Sequence, residues 1–200
     1  MAPTGWFIVF EGVDGSGKST QIELLDMKLR DQGVDHVLER EPSDGGIGRF
    51  IRAYAEAGDR YLQPESEALL FTADRFEHSR RIAQTLDQGV TVVCDRYYHS
   101  TLAYQGAAGV DVGWLRDLQR FALKPDLVIL LDVDPERSLM RVSGRTLTIF
   151  ENRDYLSRVR DLYLGFAREG EMKVVDTSKP VDEVEAEVQR LVEELTGLEL

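Results

Sequence analysis

Five short apolar runs punctuate the chain: Trp6-Phe7-Ile8-Val9-Phe10, His36-Val37-Leu38, residues 90–94, Leu127-Val128-Ile129-Leu130-Leu131 and Met172-Lys173-Val174-Val175. They are short and bounded by glycine, proline or charged residues, the mark of strands buried in a sheet. Between them the apolar positions take helical spacing. Ile22, Leu25 and Leu29 share one face of a helix that Gly33 should stop. Residues Ile47 to Ala57 read as a second helix, ended by Gly58. Pro64 suits the first turn of a long helix to about Leu86, with Leu69, Leu70, Ala73 and Phe76 as the expected buried stripe. Further helices are expected over 98–106, 114–123, 135–141, 154–167 and 181–196, the last stopped at Thr196-Gly197. The stretch 142–152 reads as a loop. Strand and helix alternate throughout, which predicts an α/β fold: a mostly parallel five-stranded sheet with helices on both faces, in one domain of 200 residues. In such sheets ligands gather at the carboxyl ends of the strands, where Arg40-Glu41-Pro42, Asp95-Arg96-Tyr97 and Asp132 emerge.

The turn after the first run carries the chemistry. Gly12-x-x-x-x-Gly17-Lys18-Ser19 fits the phosphate-loop (P-loop) pattern at every defined position, with a strand before it and a helix after it. Glycines let successive N–H groups turn inward around a phosphate, and the helix directs its positive end at the same anion. Lys18 adds a full charge toward the β- and γ-phosphates, and the Ser19 hydroxyl can ligate Mg²⁺. The whole stretch Gly12, Val13, Asp14, Gly15, Ser16, Gly17, Lys18, Ser19 and Thr20 is therefore the candidate nucleotide-phosphate cradle. Asp14 is unexpected there, because it sets a negative charge beside a phosphate site. Asp95 can hold the metal across from Ser19, and Arg96 can grip a transferring phosphoryl group.

Charge narrows the field. The net charge is −12, which argues against broad binding to nucleic acid or anionic membranes. Half of that excess lies in residues 181–200, where seven acids face only Arg190 and read as a solvated helix face. Residues 136–160 run the other way, six arginines against three acids, a local basic zone of the kind a nucleotide needs. The single cysteine, Cys94, sits in an apolar run and suits a reducing cytoplasm; no secretory signal or membrane-spanning stretch is expected. His36, His78 and His99 are too scattered for a metal cluster. The guanine-specificity element N-K-x-D is absent, since the one asparagine, Asn152, is followed by Arg153.

Longer stretches carry a family resemblance. The opening Phe10-Glu11-Gly12-Val13-Asp14-Gly15-Ser16-Gly17-Lys18-Ser19-Thr20-Gln21, the Arg40-Glu41-Pro42 turn, Leu70-Phe71-Thr72-Ala73-Asp74-Arg75, the run from Asp95 to Gly106, Lys124-Pro125-Asp126-Leu127 and Asp176-Thr177-Ser178 together resemble thymidylate kinases (dTMP kinases), especially archaeal ones. The resemblance covers nearly the whole chain. It implies a nucleoside monophosphate kinase architecture, Mg²⁺-dependent transfer from ATP to dTMP, and a homodimer. Position by position it implies that Phe71 stacks on thymine, that Arg75 meets the base edge, and that Thr101 and Gln105 lie near the base. It implies that Tyr104 excludes a 2′-hydroxyl, and that Arg96, with Arg40, holds the acceptor phosphate. Asp14 would meet the sugar 3′-hydroxyl or the arginines around the phosphates. Arg141 would stack on adenine, bordered by Ser178 and Lys179, while Phe150 and Glu151 close over the acceptor side. The segment at about 142–152 would be a lid, with Arg145 as its arginine and Arg153 in reserve. The residues leave two other readings open: a P-loop kinase of another nucleotide or deoxynucleoside, and a nucleotide-binding regulator without transfer. The intact Lys18, Ser19, Asp95 and Arg96 argue against the second.

Overall fold

A computed structural model describes residues 5–57, 59–141, 150 and 152–200. The strands are β1 (Phe7–Glu11), β2 (His36–Arg40), β3 (Thr91–Asp95), β4 (Leu127–Asp132) and β5 (Lys173–Asp176). All pair in parallel, in the order β2-β3-β1-β4-β5. The helices are α1 (Lys18–Asp31), α2 (Gly46–Glu56), α3 (Pro64–Asp87), α4 (Tyr98–Ala107), α5 (Val112–Leu118), α6 (Pro135–Arg141), α7 (Arg153–Arg168) and α8 (Val181–Thr196).

The unbroken apolar runs follow from burial on both sides. Side chains alternate along a strand, so Phe7 and Val9 join Val92, Cys94, Val128 and Leu130 against α3, α4, α5 and α7. Ile8 and Phe10 join Val93, Ile129 and Leu131 on the other face, against α1 and α8. Ile22, Leu25 and Leu29 are buried there as the spacing predicts. The chain leaves β1 for β2, returns through β3, and then crosses to β4 on the far side of β1. The crevice at this reversal lies at the carboxyl ends, the expected place for a ligand. Register aligns the charged strand ends: Phe10 and Arg40 both pair with Asp95, and Asp132 pairs with Asp176.

Three expectations are corrected. β2 runs on to Arg40, because its ladder with β3 continues and the Glu41 N–H donates to Asp95 O at 2.9 Å. α5 starts earlier, where the Asp111 side chain accepts from the Trp114 N–H at 2.7 Å, and it ends at Leu118. Next to that end Gln119 is buried and bridges Arg75 and Thr72, both at 2.8 Å. The third correction is the largest. On α3 the stripe expected to be buried faces outward, with Leu69 51% and Phe76 48% exposed. The buried face is Glu67, Ala68, Asp74, Arg75, His78, Ser79 and Ile82, mostly polar or charged.

Candidate active site

Sequence dictates the cradle first. Gly12 has φ 140°, and a Cβ there would lie 2.6 Å from Leu131 O, so the turn out of β1 tolerates only glycine. Gly17 caps α1 in a left-handed conformation with no side chain over the helix end. The first N–H groups of α1 thus face the loop, ready for an anion. Lys18 is buried, and its Nζ donates to Gly12 O and Val13 O at 3.0 and 3.1 Å. Burial lowers its pKa, and the positive field of Arg96 lowers it further. A phosphate's negative charge offsets both effects. Ser16 Oγ is buried with no hydrogen-bond partner among the described residues, a donor aimed into the same cradle.

A groove of about 220 Å³ runs from the cradle along the start of α1. It gathers Ser16, Gly17, Thr20, Arg141 and Lys179 from the expected donor-side residues. Arg141 spans it, donating to Thr177 O at 2.8 Å and Gly15 O at 3.3 Å. Ser178 does not line it; its N–H donates to Asp176 at 2.8 Å, which shapes the β5–α8 turn.

On the other side of the loop lies a cavity of about 190 Å³. Its walls bring together Asp14, Phe71, Arg96, Thr101, Tyr104 and Gln105, all expected there, and Phe150 closes one side. Arg96 ties this cavity to the phosphate loop. Its backbone N–H donates to Phe10 O at 2.8 Å. Its Nη2 donates to Asp14 at 2.6 Å and to the Tyr104 hydroxyl at 3.3 Å, and Nη1 donates to Ser100 Oγ at 3.0 Å. The unexpected charge of Asp14 is therefore met by an arginine across the loop.

Two expected residues stand elsewhere. Arg40 does not line the cavity; its side chain is 60% exposed and paired with Asp44 at 2.7 Å. Arg75 lies behind the wall, fully buried, donating to Glu41 at 2.8 Å, Gln119 at 2.8 Å and Thr101 Oγ1 at 3.1 Å. Arg145 and Glu151 lie outside the described residues, as does most of the 142–152 segment. Arg153 pairs with Glu136 at 3.4 Å on the surface.

The structure adds residues that the sequence did not single out. Arg52 of α2 lines the cavity, anchored through Pro42 O and through Ser43 O at 2.8 Å. α2 comes this close because Gly48 leaves no room for more: a Cβ there would sit 1.9 Å from Ser43 O. Glu11 is wholly buried and accepts from the Tyr97 N–H, the Ser100 N–H and the Tyr163 hydroxyl at 2.9, 3.1 and 2.8 Å. It caps the start of α4 from a neighbouring strand, a carboxylate at the positive end of the helix. Glu67, on α3, gathers side chains rather than a helix end. It holds Tyr54 at 2.6 Å, Arg60 at 2.6 Å and Gln105 at 3.2 Å, while the Arg60 guanidinium lies 5.3 Å from the Phe150 ring centre. Glu11 and Glu41 both stood inside stretches that carry the family resemblance, but neither had a role marked there. Arg52 had no signal, because nothing in a surface-helix pattern separates it from Arg49.

Comparison with known proteins agrees with this geometry. The thymidylate kinase family model matches residues 10–188. A probable thymidylate kinase of Thermococcus onnurineus is 42% identical over 94% of this chain and 97% of its own. One from Methanocaldococcus jannaschii is 46% identical over 91% and 93%. The thymidylate kinase of Thermomicrobium roseum is 45% identical over 95% of each. A P-loop whose neighbouring cavity is walled by an aromatic ring, a tyrosine and an arginine thus sits in a sequence matched along nearly all its length, and the chain belongs to the thymidylate kinase family.

Proposed function

We infer that the paired donor groove and acceptor cavity carry out the reaction of the family, transfer of the γ-phosphoryl group of ATP to dTMP to give ADP and dTDP. The observation that carries this is the 2.6 Å pair between Arg96 and Asp14, which joins the phosphate loop to a cavity lined by aromatic rings. ATP lies along the groove, its phosphates in the cradle from Gly12 to Thr20 and its base near Arg141, Ser178 and Lys179. In the cavity Phe71 stacks on thymine, with Thr101 and Gln105 beside it and Arg75 addressing the base edge through its place next to Thr101. Tyr104 fills the space a 2′-hydroxyl would need. The acceptor phosphate meets Arg96 and Arg52, with Arg40 outside the cavity as a weaker, screened charge.

A phosphate oxygen of dTMP attacks the γ-phosphorus, the bond to the bridging oxygen of ADP breaks, and no base is required because the acceptor is already anionic. The protein's work is then positioning and charge neutralisation by Lys18 and Arg96, with Phe150 over the acceptor side. The residues fit Mg²⁺. Asp95 Oδ1, at the end of β3, is buried without a hydrogen-bond partner among the described residues, and Ser19 stands exposed in the first turn of α1. These two would hold the ion, which when bound supplies charge neutralisation at the phosphates.

We also assign a homodimer, built on the outward stripe of α3. Leu69 and Phe76 lie on it, and Phe76 packs edge-on against Phe121 at 4.9 Å. Single exposed apolar residues are ordinary, but a contiguous stripe on a long helix marks an interface. No helix among the described residues is long and apolar enough to cross a membrane, and the free, buried Cys94 accords with a cytoplasmic setting. The test is ADP release from ATP and Mg²⁺ across dTMP, dUMP, dCMP, AMP, UMP and thymidine. Metal-dependent turnover with dTMP above the others is expected; preference for another acceptor would overturn the base-pocket assignments.

A further inference from the structure

Behind the acceptor cavity the inner face of α3 meets the end of β2 in a buried charged cluster. His78 is wholly buried, with Nδ1 3.1 Å from Glu41 Oε1 and Nε2 3.0 Å from Glu39 Oε2. Carboxylates only accept, so both ring nitrogens must donate, and only the imidazolium can do so. Glu41 is also held by Arg75, with Nε at 2.8 Å and Nη2 at 2.6 Å, and it lines the cavity beside Pro42. Two cations, His78 and Arg75, thus balance two anions, Glu39 and Glu41.

We propose that His78 is a positioning residue for the acceptor: its imidazolium fixes Glu41 in the cavity wall and keeps the cluster behind the dTMP site electrically neutral. The proposal rests on the assignment of this cavity to dTMP. Loss of the proton leaves one ring nitrogen a lone pair facing a carboxylate. Whichever partner is released, the cluster passes from neutral to net negative next to a site for a dianion. Low dielectric makes that charge felt. No other group takes over. Arg75 is already committed to Glu41; Arg81 and Asp44 act on Glu39 with opposite signs. Cys94 and Tyr97, packed from β3 and the start of α4, have pKa values pushed up, chiefly by burial, and stay neutral. Burial alone would lower the His78 pKa, but its hydrogen bonds to Glu39 and Glu41 overcome that and raise it to about 9. The switch therefore operates on the alkaline side.

The test has two arms. In kinetics, His78→Gln should raise the KM for dTMP about fivefold at pH 7.5, with kcat and the KM for ATP unchanged. The wild-type KM for dTMP should rise about threefold between pH 7.5 and 10 beyond any rise in the variant, which corrects for titration of the base itself. In the second arm, ring signals of His36, His78 and His99 in the wild-type protein are followed by NMR against pH, with and without dTMP. This arm needs no variant to fold. Linkage is reciprocal, so saturation with dTMP should move the His78 midpoint up by about 0.7 pH. If dTMP perturbs the spectrum and is phosphorylated, yet the His78 midpoint stays put and the KM difference is flat, the inference is overturned and the function stands. If dTMP neither binds nor reacts, the functional reading falls and takes this one with it.

Discussion

Arg96 is the one non-glycine among the described residues with a left-handed backbone, φ 68°. Such a conformation costs about 1–3 kcal/mol and persists only where neighbours over-determine it. Here the N–H bond to Phe10 O and the side-chain bonds to Asp14, Ser100 and Tyr104 do so, and the outcome is a guanidinium aimed between two sites. Lys18 is poised differently: buried, it is held by loop carbonyls that a phosphate can replace. Lys18→Ala should lower kcat by about 100-fold or more, with the melting temperature nearly unchanged, in paired kinetic and thermal assays. The arginines give a sharper contrast. Arg52→Ala should raise the dTMP KM by about tenfold, as loss of a charge-assisted hydrogen bond does, while Arg40→Ala should change it less than about twofold. Equal effects from the two would return the acceptor phosphate to the β2 end.

At the scale of elements, α4 shows how a buried carboxylate in one element sets another. Tyr97 precedes α4 without capping it, and Glu11 accepts the Tyr97 and Ser100 N–H groups from β1 instead. Glu11→Ala should lower the unfolding free energy by about 1–3 kcal/mol, read by chemical denaturation, and should also raise the dTMP KM because Thr101, Tyr104 and Gln105 ride on that helix. Elements were mostly legible in the sequence for a plain reason. Strands buried on both faces and a P-loop of fixed spacing are local signals, and α1 and α8 bury the faces that their spacing marks. What stayed hidden is long-range. The extension of β2 depends on its ladder with β3, and the end of α5 on where Gln119 finds partners 44 and 47 residues away. In the site, Phe71, Thr101, Tyr104 and Gln105 were found through family motifs, whereas Arg52 reaches the cavity only because Gly48 lets α2 approach.

At the scale of the whole molecule, stability should fall on both sides of neutrality. Glu171 is held at about 2, chiefly by its hydrogen bond with His99 and then by Arg116 against the cost of burial. Its folded pKa is depressed from 4.5, so its contribution is present above that pH and is lost as pH falls toward 2. His78 is raised, so its contribution is full below 6.5 and is lost as pH climbs through about 9. Urea midpoints measured from pH 2 to 10 should trace a plateau between these limits, and His78→Gln should flatten the alkaline descent. Assembly belongs to this scale too. Phe76→Asp on the outer stripe of α3 should shift the protein to monomers in sedimentation analysis while leaving its helical content intact. The reversed polarity of α3 ties that assembly to the site. In the proposed homodimer this one helix would turn its apolar side to a second copy while its charged side backs the cavity, and mass action would then reach the chemistry. Diluting the enzyme below its dimer dissociation constant should lower activity per subunit, through a softer grip on dTMP rather than a slower phosphoryl step, and adding dTMP should restore both.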